Sequence, residues 1–177
     1  SMGFLDIGHA IQLSPTNHDA YFKKAHAHIG LNQTSLALEN LDKAITLAPI
    51  NSDYFYSRGL LRNQLKDYET AIEDFTISIE LNTVLANDDP RYAKPFVGRG
   101  MASMQGRQIP AGLLAALIDA EKALKLLERQ FDTPEWDYYQ PTINLQLSDV
   151  HELLGDSYTA LGRTIDAQNE YEQSSKY

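Results

Sequence analysis

Residues 57–75 read SRGLLRNQLKDYETAIEDF, and residues 154–171 read LGDSYTALGRTIDAQNEY. The first string reads as the meeting of two helices. One is expected over Asp53 to Leu65, with Asn51 or Ser52 as its N-cap; the other runs from Tyr68 to Leu81, where Ala71, Ile72, Phe75 and Ile79 share one face. Gly59 in the first helix and Ala71 in the second are small where bulk is the rule, and Gly155 and Ala167 repeat that pattern in the later string. Small side chains at matched places let two helix backbones approach closely.

Working outward, the pattern recurs at an offset of 34 residues: Ala10, Leu13 and Pro15 return as Ala44, Leu47 and Pro49, and Tyr21, Ala25, Ala37 and Leu41 return as Phe55, Gly59, Ala71 and Phe75. Phe96, Arg99 and Gly100 follow at offset 41, and Ala116 and Asp119 at offset 45, so the register slips twice. The expected organisation is a half repeat over 3–17, repeats over 18–51, 52–85, 93–131 and 142–177, and insertions at 86–92 and 132–141. Pro15 and Pro49 close second helices, since proline cannot continue one. Ser1 ahead of Met2 reads as a remnant of recombinant expression, and a chain that opens on half a repeat suggests a longer solenoid upstream.

The two quoted strings, together with the looser GRGMASMQGRQIPAGLLAALIDAEKAL at 98–124, resemble the tetratricopeptide repeat over nearly the whole chain. The resemblance implies an all-α, right-handed superhelical solenoid of antiparallel helix pairs, about four and a half repeats long. In that family the first helices line a concave groove that holds an extended peptide or a helix. Transferred here, the groove takes Phe22, His26 and Ile29 from the first full copy, Tyr56, Leu60, Asn63 and Gln64 from the second, and Val97, Met101, Met104 and Gln105 from the third. Aromatic and thioether area among amides suits a peptide, whose backbone Asn63 and Gln64 can bond; the alternative is that several of these residues pack between repeats. The carboxylate clamp of the heat-shock cochaperones is not expected: its five places hold Phe22, His26, Ser57, Lys94 and Gly98, of which only Lys94 matches.

The chain has 177 residues, 24 Asp plus Glu against 15 Lys plus Arg, and a formal charge of -9. Such a field repels phosphate backbones, so nucleic acid is not expected as a partner; apolar or basic protein segments are. No apolar run reaches the ~18 residues of a membrane span. The absence of cysteine removes disulfides, thiolate metal sites and thiol nucleophiles, and leaves the compartment open. No enzyme signature, cofactor or metal is expected. His26 and His28 point to different faces of one helix, and His9, His18 and His151 lack partners at ligand spacing. Gly98-Arg99-Gly100 follows no strand, so a packing role is read there, and Asp88 and Asp89 beside Pro90 are read as turn residues.

Arg58 with Asp74, and Arg99 with Asp119, recur at equivalent places and read as ion pairs that fix helix register. The first helix, with Phe4, Ile7 and Ile11, is expected to find cover in a second copy of the chain. The later insertion is expected to form a hairpin tipped by Trp136, Tyr138 and Tyr139, with Tyr92 nearby, as a second binding surface or as a tip folded back on itself.

Overall fold

The computed structural model describes residues 4–85, 92–106, 111–128 and 140–177. Among these are α1 (Phe4–Leu13), α2 (His18–Gly30), α3 (Thr34–Leu47), α4 (Ser52–Gln64), α5 (Tyr68–Leu85), α6 (Ala93–Gly106), α7 (Ala111–Glu128), α8 (Gln140–Ala160) and α9 (Thr164–Ser174), with no strand. Each helix packs on its neighbour in sequence, most extensively within the pairs α2–α3, α4–α5, α6–α7 and α8–α9, and α6 also touches α4 and α8. The fold is the expected all-α solenoid.

Local chemistry sets the helix ends. The Asn17 side chain accepts from the Ala20 amide at the start of α2, and Asn51 accepts from the Asp53 amide at the start of α4. Three of the tight turns within pairs use one left-handed residue each: Asn32 (φ 56°), Lys66 (φ 63°) and Gly162 (φ 74°). In each the next amide reaches back to close the helix, Gln33 to His28, Asp67 to Arg62 and Arg163 to Tyr158. This is the Schellman arrangement, which satisfies carbonyls that a helix end would leave bare.

Small residues sit where helices cross. Ala25, Ala37, Ala71 and Ala116 are fully buried. A methyl group at Gly59 would lie 2.9 Å from the Phe75 ring, one at Gly98 2.7 Å from the same ring, one at Gly100 2.8 Å from Leu153 and one at Gly155 2.5 Å from Tyr171. Gly98 is therefore a packing residue as much as Gly100, because Phe75 of α5 lies between α4 and α6.

Ion pairs tie the elements together as expected. Arg58 donates to Asp74 at 2.7 Å and to Asp42 at 2.6 Å, Arg62 adds a 2.8 Å bond to Asp74, and Arg99 grips Asp119 through two nitrogens at 2.8 Å each. Between repeats, the buried Tyr54 hydroxyl donates to Asp19 at 2.6 Å and lies 2.6 Å from His18 Nδ1. His151 has an acidic partner that spacing alone did not reveal, Glu170 of α9 at 2.7 Å.

Ile7 is buried within the chain, Ile11 is half-buried and Leu13 is 74% exposed, so part of the apolar face of α1 finds its cover internally. α5 continues past the expected Leu81 to Leu85, and α8 begins at Gln140, inside the expected insertion 132–141; α9 covers Thr164–Ser174.

Candidate binding groove

The first helices of three successive pairs, α2, α4 and α6, carry the residues assigned to the groove. Phe22 is half-buried, with its ring centroid 4.5 Å from that of His26 and 4.6 Å from that of Tyr54, which continues an aromatic surface from one pair to the next. Partial burial holds the His26 pKa below its ordinary value, so the exposed ring is neutral at pH 7. Leu60 is 41% exposed, Gln64 and Gln105 are exposed, and Asn63 is half-buried with an Oδ1 that has no hydrogen-bond partner. Met101 and Met104 are half-buried against the core of α6, α7 and α8; Val97, at 8% exposure, belongs to that core.

Tyr56 ties the face together. Its half-buried ring lies 5.9 Å from that of Phe75, and its hydroxyl is pushed up to about 12, first by burial and then by the charge of Asp149. Asp149 belongs to α8, two pairs along, so the curvature brings α4 and α8 within electrostatic reach. Burial, reinforced by the Glu152 charge, raises the Asp149 pKa. None of the hydrogen bonds or ion pairs among the described residues engages the Asp149 side chain.

At the mouth between α4, α5 and α6 a cavity of 340 Å³ is lined by Ser52, Asp53, Tyr56, Ser78, Asn82, Tyr92, Lys94 and Pro95. Tyr92 and Tyr56 thus line one cavity. Trp136, Tyr138 and Tyr139 lie outside the described residues, as do both insertions apart from Tyr92, Gln140 and Pro141. Sequence reasoning missed Asp149, Ser78 and Asn82. The signal for the last two was available: at offset 34 they replace Ala44 and Ala48, a polar pair where the preceding repeat is apolar.

No group of His, Asp or Glu among the described residues is arranged to hold a metal ion, and no described helix is long and apolar enough to cross a membrane. A sequence profile of the tetratricopeptide repeat matches residues 18–51 and 52–83. Residues 18–83 are thus two tetratricopeptide repeats. No curated protein matches it in sequence. In structure it is similar to MamA, with 17% identity and a TM-score of 0.70 over 97% of this chain and 84% of MamA. It is also similar to BtubC from P. vanneervenii, with 17% identity and a TM-score of 0.76 over 90% of this chain and 62% of BtubC. A third similar structure is the first TPR of Spaghetti (RPAP3) bound to the HSP90 peptide SRMEEVD, at 19% identity and a TM-score of 0.62 over 82% of this chain and 93% of that one. At these identities the likeness is one of fold.

Proposed function

We propose that this tetratricopeptide-repeat chain is a non-enzymatic protein-interaction scaffold whose concave groove holds a segment of another protein that combines apolar side chains with a basic residue. The observation that carries the reading is Asp149: a half-buried carboxylate of α8, raised in pKa by burial and without a cation partner among the described residues. A buried or half-buried charge is tolerated best when paired, and a Lys or Arg from a partner supplies the pair. Phe22, Tyr56, Leu60, Met101 and Met104 supply adjoining apolar area, and the exposed amides of Gln64 and Gln105 can bond a peptide backbone. The RPAP3 domain holds a peptide that ends in acidic residues. This chain differs in carrying a net charge of -9 and only Lys94 of the clamp residues, which favours the opposite sign of partner.

The test is a selection of random displayed peptides on the folded chain. Peptides that pair a Lys or Arg with apolar residues are expected, and both Asp149→Asn and the double change Tyr56→Ala with Met101→Ala should weaken them about tenfold, roughly 1.4 kcal/mol, with helix content intact. Selected acidic peptides, or affinities that neither variant moves, count against the reading. Occupation of the groove by the protein's own chain would show as a failure to select any peptide until that segment is removed.

A further inference from the structure

The cavity between α4, α5 and α6 contains polar groups that the packing of the solenoid does not use. Ser78 is 1% exposed and Asn82 5% exposed, one turn apart on the same face of α5, and neither Ser78 Oγ nor Asn82 Oδ1 has a hydrogen-bond partner. Both line the 340 Å³ cavity, together with Asp53, Tyr56, Tyr92 and Lys94. Buried polar atoms in folded chains are almost always satisfied, so an orphaned pair facing a cavity calls for a partner inside it.

The repeat supplies an internal comparison. The equivalents of Ser78 and Asn82 are Ala44 in α3 with Ala48 at its C-cap, and Ala123 and Leu127 in α7; Ala44, Ala123 and Leu127 are fully buried. The solenoid is therefore built with apolar residues at this place on either side, and the polar pair is not a requirement of helix packing.

We propose that this cavity receives a carboxamide side chain, Asn or Gln, from the segment held in the groove. The proposal rests on the groove reading for the source of that side chain. The chemistry selects among ligands. Lys94 opposes a cation, Asp53 opposes an anion, and an apolar side chain would leave Ser78 Oγ and Asn82 Oδ1 without partners. A carboxamide donates through its NH2 group to Asn82 Oδ1 and accepts through its oxygen from the Ser78 hydroxyl or the Lys94 ammonium. Because it carries both roles, it also fits if the Asn82 amide is turned over.

Three capped amino acids of nearly equal size serve as probes: the N-acetyl, methylamide forms of glutamine, glutamate and methionine, titrated into the isotope-labelled full chain by NMR. The glutamine form should give saturable shifts at Ser78, Asn82 and Lys94, with the other two at least about tenfold weaker, as a site built for hydrogen bonding rejects shapes that lack the group. Asn82→Leu and Ser78→Ala restore residues that other repeats carry and should fold, so loss of glutamine binding in either is readable against an unchanged melting temperature. The proposal is overturned if glutamate binds as well, which makes Lys94 an anion site, if methionine binds as well, or if no probe saturates. Should glutamine fail while Tyr56→Ala with Met101→Ala still weakens the selected peptides, the groove stands without this pocket; should the peptides fail too, the groove reading falls first.

Discussion

A single ring, Phe75, decides two glycines. Helix interiors ordinarily favour alanine over glycine by about 1 kcal/mol, so Gly98→Ala in α6 would stabilise an isolated helix. In the chain the added methyl meets Phe75 at 2.7 Å, and the ring is held on its other side at Gly59, so it cannot withdraw. Overpacking of this kind costs about 1–3 kcal/mol, and we expect Gly98→Ala to lower the denaturation midpoint accordingly. Pairing it with Phe75→Leu should recover part of the loss; strictly additive costs would mean that the ring is not the cause. At the α4–α5 turn the argument reverses, because Lys66 has a φ of 63° and a side chain gains nothing from that region. Lys66→Gly should stabilise the chain by about 0.5–1 kcal/mol in the same assay. Asp149 adds a pH dependence. Its raised pKa means that the folded chain holds the proton more tightly, so the charged form costs stability above the raised pKa and the cost disappears as pH falls to the ordinary aspartate range. Asp149→Asn should therefore be the more stable chain at pH 7, with the difference closing in acid; a gap that is constant with pH would exclude the carboxylate as its origin.

The helix α5 shows how an element can overrun its repeat. α1 and α3 end just ahead of Pro15 and Pro49, but the residue 34 places after Pro49 is Thr83, whose amide and hydroxyl are both compatible with a helix, and its Oγ1 bonds back to the Ile79 carbonyl at 2.5 Å. The helix continues to Leu85, and that extra turn sets Asn82 above Ser78 in the cavity wall. Thr83→Pro should end α5 early, costing up to about 3 kcal/mol, and the backbone carbon shifts of residues 82–85 should move to coil values. Shifts that stay helical would show that α4 and α6 hold the turn without its own hydrogen bonds. The same comparison explains what was legible. Helix pairs, N-caps at Asn51 and the Arg58–Asp74 and Arg99–Asp119 pairs follow from residue types at fixed period, because local spacing determines which face each side chain occupies. Asp149 and the Glu170 partner of His151 were not legible, since their surroundings come from curvature and from a neighbouring helix. Ser78 and Asn82 were legible only as departures from the repeat, and a reading that looks for matches passes over them.

On the scale of the whole molecule, the core is a row of clusters. Ala25, Ala37, Leu41 and Leu61 form one at α2–α4; Ala71, Phe75 and Ala102 form a link at α5–α6; and a larger group, including Val97, Leu127, Leu147, Val150 and Leu153, joins α6, α7 and α8. In a solenoid each pair touches only its neighbours, so stability is a sum of local terms and coupling falls with distance along the row. Leu147 and Leu41 are both fully buried, and cutting either to alanine should cost about 2–5 kcal/mol locally. Under the local-sum picture, Leu147→Ala should speed amide exchange in α6 to α9 and leave α2 and α3 protected, while Leu41→Ala should do the reverse. Equal loss of protection in every helix from either change would instead make the chain one cooperative unit. The distinction bears on the proposed groove, whose residues would come from α2 through α8. A segment bound along it contacts both ends of the row, and should tie them together by binding only the folded state. The selected peptide is therefore expected to slow exchange at α2 and at α8 together, and in its presence Leu147→Ala should begin to loosen α2. Protection confined to the helices around one cluster would shorten the groove to that cluster.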